Sequence, residues 1–271
     1  MRRSRSRTST TKAELLDFAE SPAAHAPITP DFMRFADERY VVLLGATPEF
    51  TSIQRPRFPE DGIEETLDEI RDLVSRHGHR NAKWWIPDSA TPSDLADRLL
   101  EFGLRPDEKD PDLTAMTLEQ PPPEPPRDIS VRAVSTEEEM AEAMAIQWDA
   151  FAISDSERAE QGRRVADRFR LEREYESTKT FLAWVDGRPA AAALAVFAPQ
   201  GGLLVGGSTQ PWARGRGAYR ALVRARWDAA VARGTPTLVV QAGSMSGPIV
   251  RRLGFVAVSR IRHLVDVAGA A

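Results

Sequence analysis

The chain contains no cysteine, so disulfides and thiolate metal sites are excluded. Histidine is scarce as well, with only His25, His77, His79 and His263. The nearest pair, His77 and His79, straddles Gly78 at an expected helix end. Capping or solvation accounts for it, and no metal is expected. No apolar run approaches the roughly 18 residues of a membrane-spanning helix, so no membrane partner is expected. The first seven residues carry Arg2, Arg3, Arg5 and Arg7. No apolar stretch follows them, which argues against a secretory signal and for a flexible basic tail. These absences together give the cytoplasm as the expected location.

What the chain does contain is an ordinary globular mixture, with 42% hydrophobic and 28% charged residues in 271. That length suggests two domains. The net charge of −4 hides an asymmetry: residues 1–126 sum to −8 and residues 127–271 to +4. The basic half suits an anionic ligand, while the overall acidity argues against nucleic acid as the main partner. The clearest boundary is Pro121-Pro122-Pro123-Glu124-Pro125-Pro126, which favours extended polyproline conformation and fits neither a helix nor a central strand. The expected organisation is a flexible tail and leader at 1–27, a first domain at 28–120, a linker at 121–126 and a second domain at 127–271.

In the second half, residues 129–134 read as a strand. Ser135 and Glu138 have capping-box spacing for a helix running to about residue 151. A charged helix is expected at 157–174. Strands at 181–185 and 190–197 flank Asp186-Gly187, a hairpin turn signal. Another strand covers 203–209. A helix at 215–232 carries Ala218, Leu222, Ala225 and Ala229 on one face. A strand at 237–241, a helix at 246–253 and one long or two short strands at 255–267 complete the half. The first half echoes this ending. Residues 99–104, Leu-Leu-Glu-Phe-Gly-Leu, resemble residues 250–255, Val-Arg-Arg-Leu-Gly-Phe. A helix at 62–76 and a strand at 83–86 precede the first of these, just as 215–232 and 237–241 precede the second. The shared order points to duplication and to a mixed α/β fold.

The sharpest local feature is Thr209-Gln-Pro-Trp-Ala-Arg214-Gly215-Arg216-Gly217-Ala218-Tyr219-Arg220. A strand ends, an Arg/Gly loop follows, and a helix opens at about Gly215, with Ala218 and Tyr219 in its first turns. Unpaired N–H groups at a helix N-terminus attract phosphate. Gly215 and Gly217 admit close backbone approach, and Arg214 and Arg216 can add charge-assisted hydrogen bonds. The same residues also read as a glycine turn before a helix with a solvated basic face, which suits Arg220, Arg224, Arg226 and Arg233. Neither a P-loop nor a dinucleotide fingerprint is present.

Here the second half resembles the GNAT superfamily of acetyl-CoA-dependent N-acetyltransferases. That family carries Arg/Gln-x-x-Gly-x-Gly/Ala between its fourth strand and third helix, and Arg214 and Gly217 match the first and fourth positions. Tyr219 departs at the sixth, where a small residue is usual. A helix ending in Leu-Gly-Phe is matched by Leu253-Gly254-Phe255. The resemblance covers nearly all of the second half. It implies two GNAT-like domains, the second complete. It also implies acetyl-CoA as co-substrate, with the pantetheine arm in a gap beside Gly207, Ser208 and Thr209, and a further cofactor contact at Ser246, a residue that reads equally as a simple N-cap. The first half lacks the cradle. Its junction reads Arg55-Pro-Arg-Phe-Pro-Glu60-Asp61-Gly62, where two prolines remove donors and two acids oppose phosphate. It is expected to be a degenerate copy. Trp84-Trp85 reads as core packing, with a substrate wall as the alternative.

The reaction the family implies is attack of a neutral amine on the thioester. An amine with a pKa near 10 is only about one part in a thousand neutral at pH 7.4, a cost of roughly 4 kcal/mol. Asp149, Asp155 and Glu157 are the candidate carboxylates near the acceptor side, and Asp155 is taken as the base. The family's tyrosine acid, four residues before the glycine of Leu-Gly-Phe, is replaced by Val250. Ser244, Tyr219 or water then remains to protonate the leaving thiolate. The expected function is acetyl transfer to a primary amine of a small molecule. The alternatives are a non-catalytic acyl-CoA-binding module and an acyltransferase acting on a protein or peptide amine.

Overall fold

A computed structural model describes residues 10–48 and 50–267, and the basic tail at residues 2–7 lies outside the described residues. The first half contains α1 (Lys12–Glu20), α2 (Pro22–His25), β1 (Phe32–Ala36), β2 (Val41–Gly45), β3 (Thr51–Gln54), α3 (Ile63–Arg76), β4 (Asn81–Pro87), α4 (Leu95–Glu101), β5 (Arg105–Pro106) and β6 (Asp112–Leu118). The second contains β7 (Ile129–Ala133), α5 (Glu137–Ala150), α6 (Asp155–Gly162), α7 (Val165–Glu174), β8 (Thr178–Val185), β9 (Arg188–Ala198), β10 (Gly201–Thr209), α8 (Ala218–Ala232), β11 (Leu238–Ala242), α9 (Gly247–Arg252) and β12 (Val256–Val267).

The repeated order predicted from sequence is present. Strands β1–β2–β3 form an antiparallel meander, and β4 then joins β3 in parallel after α3. Likewise β8–β9–β10 form a meander, and β11 joins β10 in parallel after α8. The last strands are exchanged between the halves. One sheet of twelve strands runs β1-β2-β3-β4-β12-β6-β11-β10-β9-β8-β7, with β5 paired to β12. Thus β12, from the end of the chain, lies against β4 of the first half, from Ile261↔Pro87 to Val267↔Asn81. In return β6 of the first half lies against β11 of the second, from Leu238↔Leu118 to Ala242↔Thr114. The two exchanged strands pair with each other at the centre.

Alternation along the strands sends side chains to both faces. Phe181, Ala183, Ala191 and Ala193 pack with Ala218, Leu222 and Val223 of α8, whereas Leu182 and Ala192 pack with Ala143 and Ile146 of α5. Ala225 and Ala229, placed on the buried face of α8 by their spacing, pack partly buried against that core. A separate core lies under α3 and α4, containing Leu67, Ile70, Trp84, Leu95 and Leu99 and also Leu264 from β12.

Several local details differ from the sequence reading. Residues 12–25, expected within a flexible leader, form α1 and α2. Leu15, Phe18 and Ala19 of α1 pack against Ala115, Val239 and Ile261 at the exchanged strands. Thr11 and Glu14 close a capping box at the start of α1. The cap of α5 sits one residue later than expected, because the Thr136 side chain accepts from Glu139 N–H and Glu139 also bonds Ser135. The charged segment divides into α6 and α7 instead of one helix. The Asp186-Gly187 turn forms as predicted, with φ of +51° and +72°. No described helix is long and apolar enough to cross a membrane.

Candidate active site

Strands β10 and β11 are registered at only two places, Gly202↔Leu238 and Leu203↔Val239. Beyond them the two strands are no longer paired. On its other side β10 carries a bulge: Val205 faces Leu194 and Ser208 faces Ala192, so Gly206 and Gly207 together face Ala193. Gly207 is one of the three positions, with Ser208 and Thr209, that the resemblance assigned to the pantetheine arm. Thr209 lines the adjoining cleft of about 200 Å³, together with Ile146, Asp149, Ala150, Gln210, Pro211 and Arg214. The hydroxyl of the buried Ser208 turns instead to Ala192 O at 3.4 Å, so only its backbone is available to a ligand.

The loop after β10 makes a turn of 3₁₀-helix at Pro211–Ala213, then passes Gly215 and Gly217 with φ of +78° and +93°. Helix α8 starts at Ala218, three residues later than predicted, because both glycines are left-handed and fall outside it. No side chain caps its first turn and no acid lies there. The N–H groups of that turn are therefore open to an anion. Arg214 is exposed and lines the cleft. Arg216 is tied elsewhere: its Nη1 donates to Asp186 Oδ2 at 2.7 Å, and Asp128 lies at 4.0 Å. The bond to Asp186 raises the Arg216 pKa and lowers that of Asp186.

Sequence reasoning placed Arg220 on a solvated face and missed its position. Its Nη2 lies 3.5 Å from where a Cβ on Gly217 would sit, and its Nε is buried without a partner. The need for glycine at 217 also has a second cause. A Cβ there would lie 2.8 Å from Pro126 Cγ of the linker, which is held alongside α8 by a Glu124–Arg224 ion pair.

Tyr219 stands beside the bulge. A Cβ on Gly207 would lie 2.5 Å from Tyr219 Cε2, so the ring stands over the strand where the family usually has a small residue. Ser244 is exposed in the loop between β11 and α9. Ser246 stands at the N-cap position of α9, but its side chain makes no cap bond. Val250 is fully buried in the core beneath α8 and α9, and the exposed residue beside it is Ile249.

The candidate carboxylates are differently employed. Asp155 opens α6 in an exposed position. Glu157 is bound into the Ser154 capping box, and those bonds lower its pKa. Asp149 does line the cleft, but it accepts from Arg158 Nη1 at 2.8 Å and Gln210 Nε2 at 3.2 Å. The Arg158 bond, then the Gln210 bond, holds its carboxyl below the usual range, which makes it a poor base. The first half adds an acid the sequence did not flag. The Asp110 side chain abuts Gly243 at the end of β11, where a Cβ would overlap its Oδ1.

The corresponding junction in the first half is closed. Phe58 N–H donates to Thr91 O at 2.8 Å and Thr91 N–H to Pro56 O at 3.3 Å, so the loops after β3 and β4 bond to each other. Arg57 Nη2 reaches Ser89 Oγ at 3.1 Å, and Ser89 donates in turn to the buried carboxylate of Glu20. Ala23 N–H of α2 caps the end of β3 through Gln54 Oε1 at 2.9 Å. The first turn of α3 carries Glu64 and Glu65. Trp84 is fully buried in the core, and Trp85 packs on His263 with ring centroids 4.6 Å apart. Among the described residues no group of three or more His, Asp or Glu is arranged to hold a metal ion.

At the level of sequence the chain matches no protein-family profile and no curated protein. Solved structures do match it. A GCN5-related N-acetyltransferase from Kribbella flavida is similar over 94% of this chain and 96% of its own, with TM-score 0.68 and 20% identity. A tandem GNAT protein from the clavulanic acid biosynthesis pathway matches over 97% and 98%, with TM-score 0.61 and 14% identity. A GCN5-related N-acetyltransferase from Sphaerobacter thermophilus matches over 85% and 81%, with TM-score 0.56 and 22% identity. The chain therefore has the GNAT fold, and the likeness extends through both halves.

Proposed function

We propose that the protein is a cytoplasmic acetyl-CoA-dependent N-acetyltransferase acting on a primary amine of a small molecule, with the cofactor held by the second half. The observation that carries this reading is the contrast between two equivalent junctions. One has a bulged strand, two left-handed glycines and a helix start free of acids. The other is closed by hydrogen bonds and acids. The GNAT fold of the chain supports the same assignment. Arg214, Arg220 and the N–H groups opening α8 suit the pyrophosphate. Gly207, Ser208 and Thr209 offer backbone to the pantetheine arm, and the small cleft beside Thr209 suits a small acceptor.

Acetyl-CoA supplies the activated thioester. The protein's own tasks are to orient the amine, exclude water and dispose of a proton. Asp155 and Asp149 are poorly placed or poorly poised to take that proton. Burial of Val250 leaves the thiolate to solvent, Ser244 or Tyr219. A thiol with a pKa near 8.5 leaves as thiolate near pH 7.5 at a cost of only about 1.4 kcal/mol, so turnover without a dedicated acid is feasible. The spent carboxylates and the buried Val250 also favour one second reading, a non-catalytic acyl-CoA-binding module.

Two measurements test the proposal. Calorimetric titration of the full chain with CoA should give one site, and two sites would overturn assignment to the second half alone. Incubation with acetyl-CoA and a panel of small amines should release free thiol faster than acetyl-CoA alone. Binding without release across the panel would favour the module.

A further inference from the structure

The bulge of β10 is bonded from one face of the sheet, and the β9 strand beside it from the other. On one face Gln147 of α5 donates from Nε2 to Gly206 O at 3.0 Å. Gly206 has φ of +60°, and a Cβ there would lie 3.0 Å from that nitrogen, so the glycine both turns the strand and admits the amide. On the other face stands Arg226 of α8, which is fully buried. Its Nε donates to Leu222 O at 3.1 Å within its own helix, and its Nη1 donates across to Leu194 O at 3.2 Å. Leu194 belongs to the last registered pair before the bulge. The Tyr219 ring, which lies against Gly207, has its centroid 5.9 Å from the guanidinium carbon.

Arg226 is anomalous on stability grounds alone. Its Nη2 has no hydrogen-bond partner, and no ion pair is formed with it among the described residues. Burial pushes its pKa down against the opposing effect of Tyr219, and a buried cation with no carboxylate partner is costly. An apolar side chain would fill the same space without that cost. Gln147 likewise commits a half-buried amide to a carbonyl that the bulge has turned out of the ladder.

We propose that Gln147 and Arg226 are positioning residues that hold the β10 bulge in the shape against which the acyl-pantetheine arm lies. The inference rests on the cofactor reading given above. Its physical basis is register. Without the bulge the end of β10 would slip by one residue, and a slip of one turns every following side chain to the opposite face. Thr209 would then leave the cleft it lines. The α8 N-terminus, fixed by the left-handed glycines before it, would stay in place. The grip therefore governs the thioester end of the cofactor and not its nucleotide end.

The test uses the full chain with two probes, acetyl-CoA and 3′-phospho-ADP, the nucleotide end alone. Affinities are measured by calorimetry for wild type, Gln147→Leu, Arg226→Met and Arg226→Lys. The expected result is a loss of about tenfold for acetyl-CoA in Gln147→Leu and Arg226→Met, the effect of one misplaced polar contact. Affinity for 3′-phospho-ADP should stay within about twofold of wild type, and Arg226→Lys, which keeps a donor for Leu194 O, should recover part of the loss. Equal loss of both probes would reduce the grip to fold support and overturn the inference, as would no loss of either. If Arg226→Met unfolds, the two affinities of Gln147→Leu decide alone. Wild type binding neither probe would overturn the cofactor reading itself, and the inference with it.

Discussion

Cutting the chain at the linker tests the exchanged strands directly. A fragment comprising residues 127–271 keeps β10, β11 and the start of α8, yet it should not fold by itself. Its β11 loses β6, and its β12 loses both β4 and β6. Ile261, Leu264 and Val239 are each no more than 1% exposed in the full chain, and each is covered by residues of the first half. Uncovering one such side chain forfeits about 1.5–3 kcal/mol, so the three together forfeit about 5–9 kcal/mol. That is comparable with the whole stability of an ordinary domain, about 5–15 kcal/mol. The fragment should show no cooperative thermal transition by circular dichroism and should bind no CoA. Coexpression with residues 1–126 should restore both properties in a copurifying pair. A monomeric 127–271 fragment that melts cooperatively and binds CoA like the full chain would show that the exchange is dispensable.

Three further outcomes are expected. Gly215→Ala, at φ of +78° with nothing within 4 Å, should cost only the left-handed backbone penalty of about 1–2 kcal/mol yet weaken CoA binding; Gly217→Ala, at φ of +93° and against Pro126, should lower the melting temperature further, and equal melting temperatures would contradict the linker contact. Val250→Tyr should destabilise by about 1–3 kcal/mol through overpacking and bring no gain in rate, because its site is core and not cleft; a stable, faster variant would refute that placement. Burial alone would raise the Asp107 pKa, but the Asp110 N–H, the Lys83 ammonium and the Lys109 N–H bring it down to about 2. Its contribution is then fully present above about pH 4 and is lost as pH falls toward 2, so the gap in urea midpoint between wild type and Asp107→Asn should narrow between pH 5 and pH 2.5; a gap that widens on acidification would reverse the sign.

Much of the fold was legible because its signals are local. Glycine and proline mark the junctions, and apolar runs on either side of Asp186-Gly187 mark β8 and β9. The Leu253-Gly254-Phe255 ending was found by its echo in the first half. The exchange of β6 and β12 was not legible. A strand's sequence records which faces are buried but not which neighbour lies beside it, and both strands are apolar enough for either sheet position. The helix at residues 12–20 was missed because it follows a basic tail and carries only a short apolar face, Leu15, Phe18 and Ala19. At the site, the loop and its glycines were read correctly as a strand-to-helix turn. Partners of long side chains cannot be read from spacing, which is why Arg216 was credited with a role that Asp186 contests and Arg220 was passed over. Val250 shows the same limit: its position in the motif was recognised, but its inward orientation follows from packing.

The exchanged strands also set an order of events at synthesis. Asp88, at the end of β4, accepts a hydrogen bond from Arg260 N–H, 172 residues further along the chain. A first half emerging from the ribosome has β4 exposed along one edge until β12 arrives, and an unpaired edge strand invites association with other chains. Neither half can therefore close before β12 has been made. Its folding is dominated by late, long-range contacts, which favours slow acquisition of structure and dependence on holding factors during translation.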